Sequence, residues 1–208
     1  MFRPMEHGAD IVINSITKFL AGHSDVTLGY VAAREPGLRT AIYDAAVTWG
    51  TTPSPFDCWL AERGLHTFDL RFEKAQATAA ALADALAGRD GIRQVIYPGR
   101  ADHPHHNRAG TLFGGQFGNM LSFEIEGGRD EVNSFVMNAG GIPFAPTLGD
   151  VGCTLSHPAS SSHRALTTEG RAALGISEGY FRLSVGIEPP ELVLAELDAA
   201  LAAVRGES

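Results

Sequence analysis

The chain contains two lysines, Lys18 and Lys74, beside fourteen arginines. A protein that uses arginine wherever a positive charge alone is wanted keeps lysine for a task a guanidinium cannot perform, and a primary amine can form an imine with a carbonyl. Lys18 follows two hydroxyls, Ser15 and Thr17. The second group with chemistry to offer is Arg182, in the run Tyr180 to Gly186, where Phe181, Leu183 and Val185 take one face and Arg182 and Ser184 the other. An arginine projecting from the middle of a short strand costs stability unless a carboxylate meets it. Its planar fork binds a carboxylate through two parallel hydrogen bonds. That carboxylate belongs either to an amino-acid ligand or to an internal glutamate such as Glu188.

These residues need elements to hold them. Ile11, Val12 and Ile13 read as a short strand buried on both faces that delivers Ser15, Thr17 and Lys18 at its end. Val26 to Ala33 reads as a second strand, Arg34 to Gly37 as a turn, and Leu38 to Trp49 as a helix broken by Gly50 to Pro53. Ser54 before Pro55 starts another helix, with Phe56, Trp59 and Leu60 on one face and a stop at Gly64. Phe68 to Leu86 is a long alanine-rich helix with Gly88 placed for a left-handed cap. Strands follow at Ile92 to Tyr97 and Gly118 to Glu126, the latter alternating Leu121, Phe123 and Ile125 against polar neighbours. Asp130 caps a helix from Glu131 to Ala139, and Pro189 and Pro190 open a final one to Val204 with Leu192, Leu194, Leu197 and Leu201 inward.

The segment DIVINSITKFLAGHSDVTLGYV, Asp10 to Val31, resembles the cofactor-lysine signature of the trans-sulfuration (Cys/Met metabolism) enzymes, a pyridoxal-phosphate-dependent family of cystathionine gamma-synthases and lyases, methionine gamma-lyases and homoserine sulfhydrylases. The matched residues are Ser15, Thr17 and Lys18, then Gly22, His23, Ser24 and Asp25. Further matches are Trp59, Leu60, Arg63, Gly64, Leu65 and Thr67, the His103–Pro104 loop, His157–Pro158–Ala159, and the phrase GYFRLSVGIE around Arg182. Around Thr147, Leu148 and Gly149 the family has Ser-Leu-Gly. Thr147 for serine, Gly152 where an acid is common, and Ser161 with Ser162 for Met-Thr are departures on the substrate side.

The resemblance implies an α/β fold of type I, aspartate-aminotransferase-like, present here as the end of the large cofactor domain (1–64) and the small C-terminal α/β domain (65–208). It implies that pyridoxal 5'-phosphate is held by Ser15, Thr17 and Lys18, that Lys18 is catalytic, and that Arg182 and the Thr147 main chain bind the substrate carboxylate. Hydroxyl donors suit a phosphate dianion. It implies a homotetramer built from dimers, and an upstream half carrying the phosphate loop, the aromatic that stacks on the cofactor ring and the acid that pairs with its nitrogen. Phe2 to Gly8 running straight into a buried-strand pattern fits that expectation.

With 208 residues and 44% apolar content the chain can bury a proper core. A net charge of −8 and no basic block argue against nucleic acid and an anionic membrane surface as partners; the resemblance implies instead a small-molecule amino-acid substrate and further copies or halves of the protein. Cys58 and Cys153 have no metal or redox spacing and read as reduced thiols of a cytoplasmic protein. No apolar run approaches a membrane span, and the first eight residues lack the apolar core of a signal peptide. His103, His105 and His106 are followed by no carboxylate or cysteine at a ligand spacing and do not read as a metal site; His103 belongs to the matched His-Pro loop, and the extra histidines read as solvated surface.

Overall fold

The alternating and helical patterns condense into two compact units in a computed structural model that describes residues 2–207, with the division between Leu70 and Arg71. In the first unit β1 (Ile11–Ser15) pairs antiparallel with β2 (Gly29–Ala33), Ile11 opposite Ala33 and Ser15 opposite Gly29. The burial expected on both faces of β1 does not occur: Ile13 is 76% exposed and Ile11 45%. A two-stranded ribbon has neither further strands nor, among the described residues, a layer over these side chains. Helix α1 (Pro36–Trp49) starts two residues before the expected position, because the Glu35 carboxylate accepts from the Leu38 N–H at 2.8 Å. Hydrogen bonds from the Gly37 and Leu38 N–H groups hold the Glu35 carboxyl below its ordinary pKa. Helix α2 (Pro55–Leu65) begins where Ser54 Oγ accepts from the Asp57 N–H at 3.1 Å. Its Phe56 and Trp59 stack at 6.0 Å between ring centres, and both are exposed.

Helix α3 (Phe68–Leu86) matches its expected span and from Arg71 onward belongs to the second unit. Gly88 is not its left-handed cap; the chain makes two further turns, Arg89 N–H to Leu86 O and Ile92 N–H to Arg89 O, and the positive φ falls on Gly91. The second unit is built on an antiparallel sheet in the order β3-β4-β6-β5, with β3 Ile92–Ile96, β4 Met120–Ile125, β5 Thr154–Ser156 and β6 Tyr180–Ser184. Leu121, Phe123, Ile125, Leu155, Phe181 and Leu183 point from one face into the core, against α3, α5 (Arg129–Asn138) and α7 (Pro190–Val204). Phe181 lies 5.6 Å from Phe123 and 4.9 Å from Phe135, centre to centre.

Several local expectations shift. The α5 cap is Gly128 rather than Asp130, since the Glu131 carboxylate reaches back to the Gly128 N–H at 2.7 Å. The inward stripe of α7 is Val193, Leu197, Ala200 and Leu201, and Leu192 is 60% exposed. Helices α4 (His106–Phe113) and α6 (Thr168–Ala173), with the short β5, form in segments too short for periodicity to mark. His106 is not simply solvated: its Nδ1 is 2.9 Å from the Pro98 carbonyl and its ring stacks on Phe117 at 5.4 Å. No helix among the described residues is long and apolar enough to cross a membrane.

Candidate functional site

Ser15, Thr17 and Lys18 belong to the first unit, and Thr147 and Arg182 to the second. β1 ends at Ser15 and the backbone winds into a tight turn, Ile16–Leu20, whose regular geometry breaks at Lys18 (φ −81, ψ −145). The turn is pinned on both sides. The Thr17 hydroxyl accepts from the Leu28 N–H at 2.8 Å and is 3.1 Å from the Leu28 carbonyl, to which it donates. Beyond the lysine, the Ala21 and Gly22 N–H groups bond back to Ile16 and Lys18. Gly22 takes φ +76, where a side chain is strained, and α2 packs so closely at Gly64 that an added Cβ would lie 2.5 Å from the Ala21 carbonyl oxygen. Half-buried Lys18 is thus presented by a turn fixed by Leu28 on one side and α2 on the other.

Ser15 and Thr17 also line an open groove of about 730 Å³ with Thr27, Thr51, Thr52 and Ser54; Lys18 is not part of its wall. Asp57, the carboxylate among the lining residues, accepts from Ser54 Oγ at 2.9 Å. A hydroxyl-rich, acid-poor concavity that includes Thr17, with Lys18 the next residue in the chain, offers donors that fit an aldehyde phosphate. Thr17 has a single hydroxyl proton, so reaching a phosphate means leaving the Leu28 carbonyl.

In the second unit, Arg182 is half-buried on β6, directly opposite Ser122 of β4 and Ser156 of β5. Its Nε donates to Ser156 Oγ at 3.3 Å, and that hydroxyl donates to the carbonyl of Arg182, also at 3.3 Å. Among the described residues no carboxylate forms an ion pair with Arg182. Glu188, the internal alternative, is occupied elsewhere: Oε1 accepts from the Cys153 N–H at 2.5 Å and Oε2 from its thiol at 3.2 Å. Burial pushes that thiol up to about 12, and both cysteines are free. Thr147 is exposed, and its carbonyl accepts from Thr154 Oγ1 at 3.5 Å. The neighbouring Gly149 N–H donates to the buried Ser184 hydroxyl at 2.9 Å, so the Thr147–Gly149 loop is tied to the strand that carries Arg182.

Arg71 and Ser156 have no counterpart in the sequence reading, and His157 enters it only within the matched His157–Pro158–Ala159 segment. Arg71 is a buried cation on α3, its pKa lowered by burial and raised in part by Asp150, the residue after the Thr147–Gly149 loop. The signal was available: Arg71 stands in register with Ala75, Thr78, Ala79 and Leu82 on the core-facing stripe. His157 is buried, with Nε2 donating to the Glu178 carbonyl at 2.7 Å and Nδ1 accepting from Ser160 Oγ at 2.8 Å. Ser156 carried no distinguishing signal.

The family model described as Cys/Met metabolism PLP-dependent enzyme matches residues 1–202. The chain is 40% identical over 199 residues to a cystathionine beta-lyase of Bacillus subtilis, covering 96% of this chain and 50% of that protein. A crystal structure of cystathionine gamma synthase from Xanthomonas oryzae pv. oryzae, in complex with aminoacrylate and cysteine, superposes with a TM-score of 0.89 at 43% identity, covering 100% of this chain and 53% of that one. Cystathionine gamma-lyase from yeast gives 0.92 at 34% identity, covering 99% and 53%. The chain spans about half the length of the curated relatives it matches.

Proposed function

The chain belongs to the family of Cys/Met metabolism PLP-dependent enzymes, and from that premise we propose that it is the C-terminal half of a trans-sulfuration enzyme acting at the gamma carbon of a sulfur amino acid or an activated homoserine. In this reading residues 1–64 close the cofactor domain of a type I fold and 65–208 form its small domain. Bound pyridoxal 5'-phosphate supplies the electron sink that makes an amino acid's alpha-proton acidic. Lys18 would hold the cofactor aldehyde through its amine, and that amine is the base positioned to take the substrate's alpha-proton. Ser15 and Thr17 donate to the phosphate. Arg182 orients the substrate carboxylate, assisted by the main chain at Thr147. The observation that carries the reading is Arg182: a half-buried guanidinium with no carboxylate partner among the described residues, in a chain of this family. Elimination and replacement use the same residues and both release the gamma substituent; they differ in whether an incoming nucleophile takes its place.

The test is turnover of L-cystathionine by the cofactor-loaded protein. Lys18→Ala is expected to abolish it. Arg182→Lys is expected to raise KM about ten- to a hundredfold, the loss of a bidentate charged contact. Full turnover by Lys18→Ala would overturn the proposal.

A second reading has its own observation: Ile11, Ile13 and Val31 are exposed on the ribbon that presents Lys18. The chain is then a half-subunit of a cytoplasmic homo-oligomer, inactive until a separate first half covers that ribbon. Tight cofactor attachment without turnover, restored by adding such a half, supports it; turnover by the chain alone rejects it.

A further inference from the structure

Arg182 has five donors, and the structure commits one of them. Ser156 is 3% exposed and directly opposite Arg182 in the sheet register. Its one proton goes to the Arg182 carbonyl, which turns its lone pair toward Nε of the same residue; both contacts are 3.3 Å. A guanidinium grips a carboxylate either side-on, through Nε and one terminal nitrogen, or end-on, through the two terminal nitrogens. With Nε held by a buried hydroxyl, the side-on edge is closed. We propose that Ser156 is a positioning residue that fixes Arg182 by its Nε so that an amino-acid carboxylate docks end-on, through the two terminal nitrogens. The inference rests on the reading of Arg182 as the substrate carboxylate's partner.

Two measurements on the cofactor-loaded 208-residue protein decide it. The first is the arginine Nε–H signal in a nitrogen–proton correlation spectrum, assigned by its disappearance in Arg182→Lys. Slow solvent exchange in the wild type and in Ser156→Thr, with loss or fast exchange in Ser156→Ala, is the expected result. An identical signal in wild type and Ser156→Ala overturns the proposal. Circular dichroism checks that the alanine variant is folded; if it is not, the wild-type signal decides, since an Arg182 Nε–H in fast exchange with solvent overturns the proposal. The second is calorimetric affinity for L-methionine against its amide, which lacks the anionic carboxylate. Ser156→Ala is expected to weaken L-methionine about three- to tenfold, the worth of one hydrogen bond, with recovery in Ser156→Thr and no change for the amide. An unchanged L-methionine affinity in Ser156→Ala overturns the docking claim. If Arg182→Lys binds L-methionine as tightly as the wild type, the carboxylate reading of Arg182 falls, and docking with it, while the exchange measurement still decides the Ser156 contact.

Discussion

Buried His157 holds the end of β5 to the start of β6, through Ser160 on one ring nitrogen and the Glu178 carbonyl on the other. Burial lowers its pKa below the ordinary 6.5, opposed by the Glu178 carbonyl and carboxylate. The folded protein therefore keeps the ring neutral at pH values where the unfolded chain protonates it. Stability from this group is complete above about pH 6.5 and falls as the pH drops toward the folded pKa, because there the unfolded state binds more protons. The unfolding free energy from urea titration should decline from pH 7.5 to 5.5, by up to about 1 kcal/mol, and His157→Gln should flatten that decline. An equal slope in the variant would place the titration elsewhere. Lys18 and Arg182 were legible because each is chemically out of place where it stands. Ser156 was not, because a serine says nothing until the register sets it against Arg182.

Elements whose apolar pattern is long came through from the sequence, and short ones did not. Helix α3 has nineteen residues of consistent pattern and matches its expected span, whereas β5 has three and is fixed by pairing with β6. The exposure of β1 was unreadable because a run such as Ile11 to Ile13 records an apolar segment and not what covers it. Phe181 is fully buried between Phe123 and Phe135, at the centre of the β4–β6–α5 packing. Phe181→Ala should cost about 3 to 5 kcal/mol of unfolding free energy by urea titration, the range for losing a buried aromatic and leaving a cavity. At the other extreme, Ser54→Ala removes the α2 cap and should cost about 1 kcal/mol. A loss of similar size from both would mean that the ring cluster is not the core of the second unit.

At the scale of the whole chain the two units differ in how much they bury. The second has a continuous core of leucines, valines and phenylalanines. In the first, the buried apolar residues are Ala21, Val26, Ala33 and Ala61, while Tyr43, Trp49, Phe56 and Trp59 are exposed. Local stability follows buried apolar contact. In hydrogen exchange the amides of β1 and β2 should exchange well before those of β4 and β6, and equal protection would contradict this division. The same exposed residues are the physical reason to expect assembly with other polypeptide, which size-exclusion chromatography reads as a species larger than 22.1 kDa.

The central claim is that one amine of this chain carries the cofactor, and the two-lysine composition makes it directly measurable. The protein is loaded with pyridoxal 5'-phosphate, reduced with borohydride, digested and mapped by mass spectrometry. The account predicts a single pyridoxyl group on the peptide containing Lys18, absent in Lys18→Ala. Label on exposed Lys74, or stoichiometric label surviving in Lys18→Ala, would contradict it.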